Sequence, residues 1–244
     1  MRSWVMALTL ALTAPAAMAA GQIEEVSTEL QSAADIAYPG SEYRDVITQA
    51  TRFSQQGRVD AAWNVLQPAI VYCDDKKSSA AEVFYSVANK AEEKEYRDST
   101  PAGVKLQFVD WTCPMAYKSA AYMALQTNEP DRAAAMLDRA QALAPHWAEP
   151  LAERAYMMGK LGDRPGSLAM YRKAQALADK YPSSANVKGL ILRGIGFALT
   201  EMGDLDGATD AYEASLKIEP SNALAKGELD YIEGLRAEKR QGGK

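Results

Sequence analysis

The sequence predicts an all-α protein: a stack of helix hairpins closed by a C-terminal capping helix. Three observations carry this. Strand signals are sparse, with no run of alternating β-branched residues and no Asn-Gly or Asp-Gly pair set between apolar runs. Apolar residues recur at spacings of three and four, among Ala, Glu, Lys and Arg, which favour helix. The chain also repeats itself. Its 244 residues, 48% hydrophobic and 24% charged, are in globular proportion and suffice for one sizeable domain or one extended array.

The first segment reads as a removable signal. Met1-Arg2-Ser3 precedes an apolar run over residues 4–14, then Pro15 and Ala17-Met18-Ala19. A positive start, a short apolar stretch and small residues at −3 and −1 predict cleavage after Ala19 and a periplasmic or otherwise secreted protein. The run is too short to span a bilayer, and no other stretch comes near, so no integral membrane span is expected. Losing Arg2 with residues 1–19 moves the net charge from −5 to 26 − 32 = −6. That balance excludes nucleic acid as the main partner. One histidine and two cysteines exclude a four-ligand zinc site and a His-rich metal site, and no cofactor is expected. Residues 20–42 read as a short helix with the stripe Ile23, Val26, Leu30 and Ala34, followed by a turn at Pro39-Gly40.

The repeat begins at residue 43. Four segments align on a turn residue: Gly57, Asn128, Gly162 and Gly203. Five residues on stands Ala62, Ala133, Ser167 or Ala208. Four more bring Leu66, Leu137, Tyr171 or Tyr212, and three more bring Ala69, Ala140, Ala174 or Ser215. Seven residues before each turn lies Ala50, Ala121, Ala155 or Gly196. This is the pattern of a helix hairpin. The turn residue ends the first helix in a conformation that suits Gly or Asn. Pro130 and Pro165 sit in the first turn of the second helix, where a missing N–H costs little. The small residues permit close approach, and the large residue fills the space between hairpins.

These positions resemble the tetratricopeptide repeat, a helix–turn–helix unit whose small–aromatic–small–Pro signature matches Ala133, Leu137, Ala140 and Pro145, and again Ala208, Tyr212, Ser215 and Pro220. The resemblance implies a right-handed superhelical solenoid with repeats over residues 43–76, 114–147, 148–188 and 189–222. The step from Gly57 to Asn128 is two repeat lengths, so residues 77–113 are expected to form a degenerate helical unit. Helix is predicted over residues 80–96, with Thr100-Pro101 as a new N-cap and first-turn proline. The step from Gly162 to Gly203 carries extra residues, predicting longer helices broken near Pro182-Ser183-Ser184. Residues 223–240 read as the charged cap that a solenoid end needs, and residues 241–244 as a disordered tail.

In this family the concave face is lined by the first helix of each hairpin. The implied positions are Met115, Lys118, Tyr122 and Leu125, then Glu149, Ala152, Tyr156 and Gly159, then Leu190, Arg193, Phe197 and Thr200. Tyr122, Tyr156 and Phe197 occupy one register, with Lys118, Lys160 and Arg193 nearby, a combination that suits an extended peptide or an acidic chain end. The expected function is therefore non-enzymatic docking of a protein or peptide partner, in a cell-envelope or secretion assembly. The rival is an enzyme or enzyme subunit whose site gathers Asp110, Trp111 and Cys113 in the atypical unit; a self-association scaffold is a third possibility. His146, between Pro145 and Trp147, is expected to be a surface residue that packs on its neighbours.

An oxidising compartment and an even count favour a Cys73–Cys113 disulfide. Neighbouring helices lie about 8–10 Å apart, whereas bridged Cα atoms need about 4.4–6.8 Å. A bridge between residues one repeat apart thus requires the atypical unit to leave regular stacking.

Overall fold

The computed structural model describes residues 37–242. The predicted signal over residues 1–19 and the stripe from Ile23 to Ala34 lie outside the described residues. A 3-10 turn, Ser41–Tyr43, leads into the hairpin of α1 (Arg44–Gln55) and α2 (Val59–Asp74). Next along the chain are β1 (Glu82–Tyr85), α3 (Lys90–Ser99) and β2 (Lys105–Phe108). Three more hairpins come after them: α4 (Thr112–Gln126) with α5 (Pro130–Leu143), α6 (Glu149–Lys160) with α7 (Arg164–Lys180), and α8 (Lys188–Met202) with α9 (Leu205–Ile218). The last helix is α10 (Ala223–Gly242).

Each hairpin has the pattern that the repeat predicts. Gly57, Asn128, Gly162 and Gly203 all take positive φ, at 72°, 61°, 90° and 82°. The second helix of two hairpins starts on an aspartate cap, where Asp163 accepts from the Gly166 amide and Asp204 from the Gly207 amide. The small positions and the large residues Leu66, Leu137, Tyr171 and Tyr212 are all buried. Gly196 shows why the first small position matters: a Cβ there would stand 2.8 Å from the Tyr212 ring. Gly196→Ala must displace that buried ring. We expect a loss of about 1–3 kcal/mol in chemical denaturation. The extra residues of the third hairpin lengthen α7 to 17 residues and form a 3-10 segment, Pro182–Val187, where the break is predicted.

The segment between the first two hairpins corrects the prediction of a degenerate helical repeat over residues 77–113. It is a β–α–β unit. β1 and β2 pair in parallel, Glu82 opposite Lys105 through Tyr85 opposite Phe108, with α3 as the crossover. Helix is absent from Glu82–Tyr85 because Val83, Phe84 and Tyr85 are β-branched or aromatic and pair across the sheet. Helix starts only at Asn89, whose side chain accepts from the Ala91 and Glu92 amides while Glu92 reaches back to the Ala88 amide. Thr100 closes α3 instead of starting a helix, and its hydroxyl donates to the Tyr96 carbonyl at 2.6 Å.

The array does not lose a unit there. α4 packs directly on α1 and α2, and one core cluster joins Ile47, Ala50, Leu66 and Ala69 to Ala116, Ala120 and Met123. The β–α–β unit is an insert hung between two adjacent hairpins. The Cys73–Cys113 disulfide closes its base, joining the end of α2 to the start of α4 with Cα atoms 5.4 Å apart. Above the bridge, Ser86 donates its amide to the Leu143 carbonyl and its hydroxyl to the Asp110 carbonyl. Arg44 holds the buried Asp110 carboxylate through two nitrogens, at 3.1 and 2.5 Å. At the other end, α10 runs on through Gly242, two residues beyond the predicted boundary of the cap; Gln241 and Gly242 are helical and not tail.

Candidate functional site

The first helices of the hairpins, α1, α4 and α6, enclose a recess. Thr51 and Gln55 come from α1, Lys118, Ser119 and Tyr122 from α4, and Glu149 and Glu153 from α6. The predicted groove residues divide into three groups. Tyr122 and Leu125 line the recess, Tyr122 on its wall and Leu125 also packed on a core cluster. Phe197 lies farther along the array and is 36% exposed. Tyr156 is half-buried against the core, and Lys160 holds its ammonium 5.4 Å from that ring.

Two of the predicted basic groups serve the array itself. Lys118 Nζ stands 2.5 Å from Glu149 Oε1, with both side chains largely buried, and 5.9 Å from the Trp147 ring. This ion pair ties α4 to α6 at the floor of the recess. Arg193 is buried. It turns to the end of the second helix of its own hairpin, with Nη1 2.6 Å from Glu219 Oε2 and 3.3 Å from Ser215 Oγ. Its position in the sequence register is groove-facing, but a small residue, Gly189, one turn earlier leaves room for Glu219 to draw it inward. Arg193 is thus placed as a structural group, a correction to its predicted role.

Two features lay beyond the sequence reading. The same register carried back to Gly57 gives Thr51 on α1, which lines the recess. Carried forward from Phe197 by 231 − 197 = 34 positions, it gives Tyr231 on α10, 53% exposed. Gly227 and Gly234 flank it on the same helical face, each with open space where a Cβ would stand. The aromatic register therefore continues through the capping helix.

The residues of the rival enzyme reading are used elsewhere. Asp110 is paired with Arg44 and accepts from the Thr112 amide and hydroxyl. Trp111 packs tilted on Trp147 with ring centroids 5.4 Å apart. Cys113 is disulfide-bonded. Among the described residues, no cluster of three or more His, Cys, Asp or Glu side chains could hold a metal.

No protein-family model and no curated protein matches the chain. Solved structures do. The pilF protein of Pseudomonas aeruginosa matches 82% of this chain over 71% of its own length, at 15% identity and a TM-score of 0.59. A set of nearly identical TPR-like repeats from Podosopora anserina matches 83% of this chain over 90% of its own, at 13% identity and a TM-score of 0.55. The fold is that of a tetratricopeptide-repeat solenoid. A MamA protein adds a third likeness, 83% of this chain and 86% of its own at 15% identity, with a TM-score of 0.51. At such identities these tetratricopeptide-repeat structures speak to the fold alone. Tyr122 and Phe197 lie on first helices of that array, and Tyr231 on the last helix.

Proposed function

We propose that this chain is a non-enzymatic docking protein that receives an extended peptide or protein segment along the concave face of its array, in an exported, cell-envelope or secretion setting. The observation that carries this is the aromatic register of Tyr122, Tyr156, Phe197 and Tyr231, one ring each from α4, α6, α8 and the capping helix α10, with Phe197 and Tyr231 open to solvent. Exposed aromatic rings on a rigid scaffold gain binding area at low entropic cost. The recess that Tyr122 walls also presents the hydroxyls of Thr51 and Ser119, which suit a peptide backbone. One observation supports the setting: the buried disulfide suits an oxidising compartment. Stacked repeats of this kind favour surface recognition over buried chemistry.

Affinity capture from a cell-envelope extract, with the protein lacking residues 1–19 as bait, identifies the partner. Phe197→Ala and Tyr122→Ala are the informative variants, since Tyr156 also supports the core. Each is expected to weaken the captured complex by about 2 kcal/mol, roughly 30-fold, with the melting temperature nearly unchanged. Undiminished affinity in the double variant would rule out the groove as the binding face.

A further inference from the structure

We propose that His146 is an acid-sensitive latch that holds the β–α–β insert against the helical array. Four rings from four parts of the chain stack in one column. Tyr85 of β1 lies 4.3 Å from Tyr96 of α3; Tyr96 lies 4.5 Å from His146, in the turn between α5 and α6; and His146 lies 3.7 Å from Tyr181, just past α7. Interplanar angles of 17°, 16° and 11° make the column nearly flat throughout. The imidazole is thus the ring that joins the insert to the repeats, sandwiched between one tyrosine from each.

The backbone around it is fixed. Ser184 donates its hydroxyl to the His146 carbonyl at 2.8 Å and accepts from the Ala148 amide at 2.9 Å. The remaining ties of α3 to the array converge on its carboxylates: Ser183 donates to Glu92, while Tyr181 and Lys180 donate to Glu95. Away from the array, Tyr38 donates to Glu93, 2.8 Å away. The base of the insert is held separately by the disulfide and by Arg44 on Asp110. Loosening the column therefore frees α3 without unfolding the repeats.

The groups facing the imidazole decide the direction. Glu92, Glu95 and Tyr96 face it from α3, and Lys180 and Tyr181 from the end of α7; Tyr85 of β1 closes the column. Nε2 stands 3.9 Å from Glu95 Oε1, beyond a direct hydrogen bond, and the buried Nδ1 has no hydrogen-bond partner. A neutral ring stacks well in such a slot, whereas a cation there needs an acceptor for each of two N–H groups. Burial holds the imidazole below its ordinary range, Glu95 and Glu92 oppose that shift, and Lys180 adds to it. A depressed histidine stabilises the docked insert fully above about pH 6.5, and this contribution is lost as the pH falls below that value towards the docked group's own midpoint.

The chain has one histidine, so its imidazole C–H protons give a single set of signals in proton NMR. In the oxidised protein lacking residues 1–19, the titration midpoint is expected below the ordinary histidine value. Hydrogen exchange over α3, corrected for intrinsic rates, is expected to quicken several-fold between pH 7.5 and pH 5.5. His146→Phe keeps a flat ring that cannot titrate and is expected to abolish that difference. Should that variant not fold, Glu95→Gln removes the nearest carboxylate and is expected to lower the midpoint further. Equal protection of α3 at both pH values overturns the latch. So does a midpoint at or above the ordinary value, an acid response that persists in His146→Phe, or a midpoint that Glu95→Gln does not lower.

Discussion

Replacing both cysteines, Cys73→Ala with Cys113→Ala, is expected to cost roughly 4 kcal/mol of stability, the chain-entropy value for a closed loop of about 40 residues. The bridge spans the whole insert and joins two helices that must lie side by side for the array to continue. Both cysteines are fully buried, in a cluster with Phe84, Val109, Trp111, Tyr117 and Trp147 that connects the insert to the first two hairpins. Without the bridge the unfolded chain regains the freedom of that loop, while the folded chain keeps its contacts. Urea denaturation of the natural and double-alanine proteins measures the difference. Two alkylatable thiols in the unreduced, denatured natural protein would contradict the premise.

Leu66→Ala is expected to lose about 2–5 kcal/mol, because it removes a fully buried side chain from the core that joins α1, α2 and α4. Leu161→Ala is the control. It deletes the same group at the turn between α6 and α7, where the leucine is 70% exposed, and surface changes of this kind usually fall within about 0.5 kcal/mol. The two leucines are alike in composition and differ only in repeat position. A similar loss at both, in the same denaturation measurement, would mean that the register of the array is misassigned.

The hairpins were legible because close packing imposes a residue type at fixed intervals. Left-handed turns select Gly57, Asn128, Gly162 and Gly203, and helix contacts select the small residues around Leu66, Leu137, Tyr171 and Tyr212. The insert was not legible as strand because each strand is four residues long, too short for alternation to register. Its length also falls close to one repeat, which mimics a lost unit where the array in fact continues. Asn89 and Glu92 carried the usable signal, a capping pair that starts a helix ten residues later than residue 80. Position alone could pick out Tyr122 and Phe197 as one register of the first helices. It could not show that Arg193 would turn to Glu219, since that depends on the space above Gly189. His146 packs on its neighbours as expected but is not a surface residue: its side chain is 13% exposed, because Tyr96 of the insert and Tyr181 stack on its two faces.

A partner lying along the concave face is tested most directly by a photo-reactive amino acid placed at Phe197, and separately at Val71. Val71 is 59% exposed on α2, a second helix of its hairpin, whereas Phe197 is on a first helix. Docking on the concave face predicts crosslinks to the captured partner from position 197 and none from position 71. Crosslinks from position 71 alone, or equally from both, would contradict it.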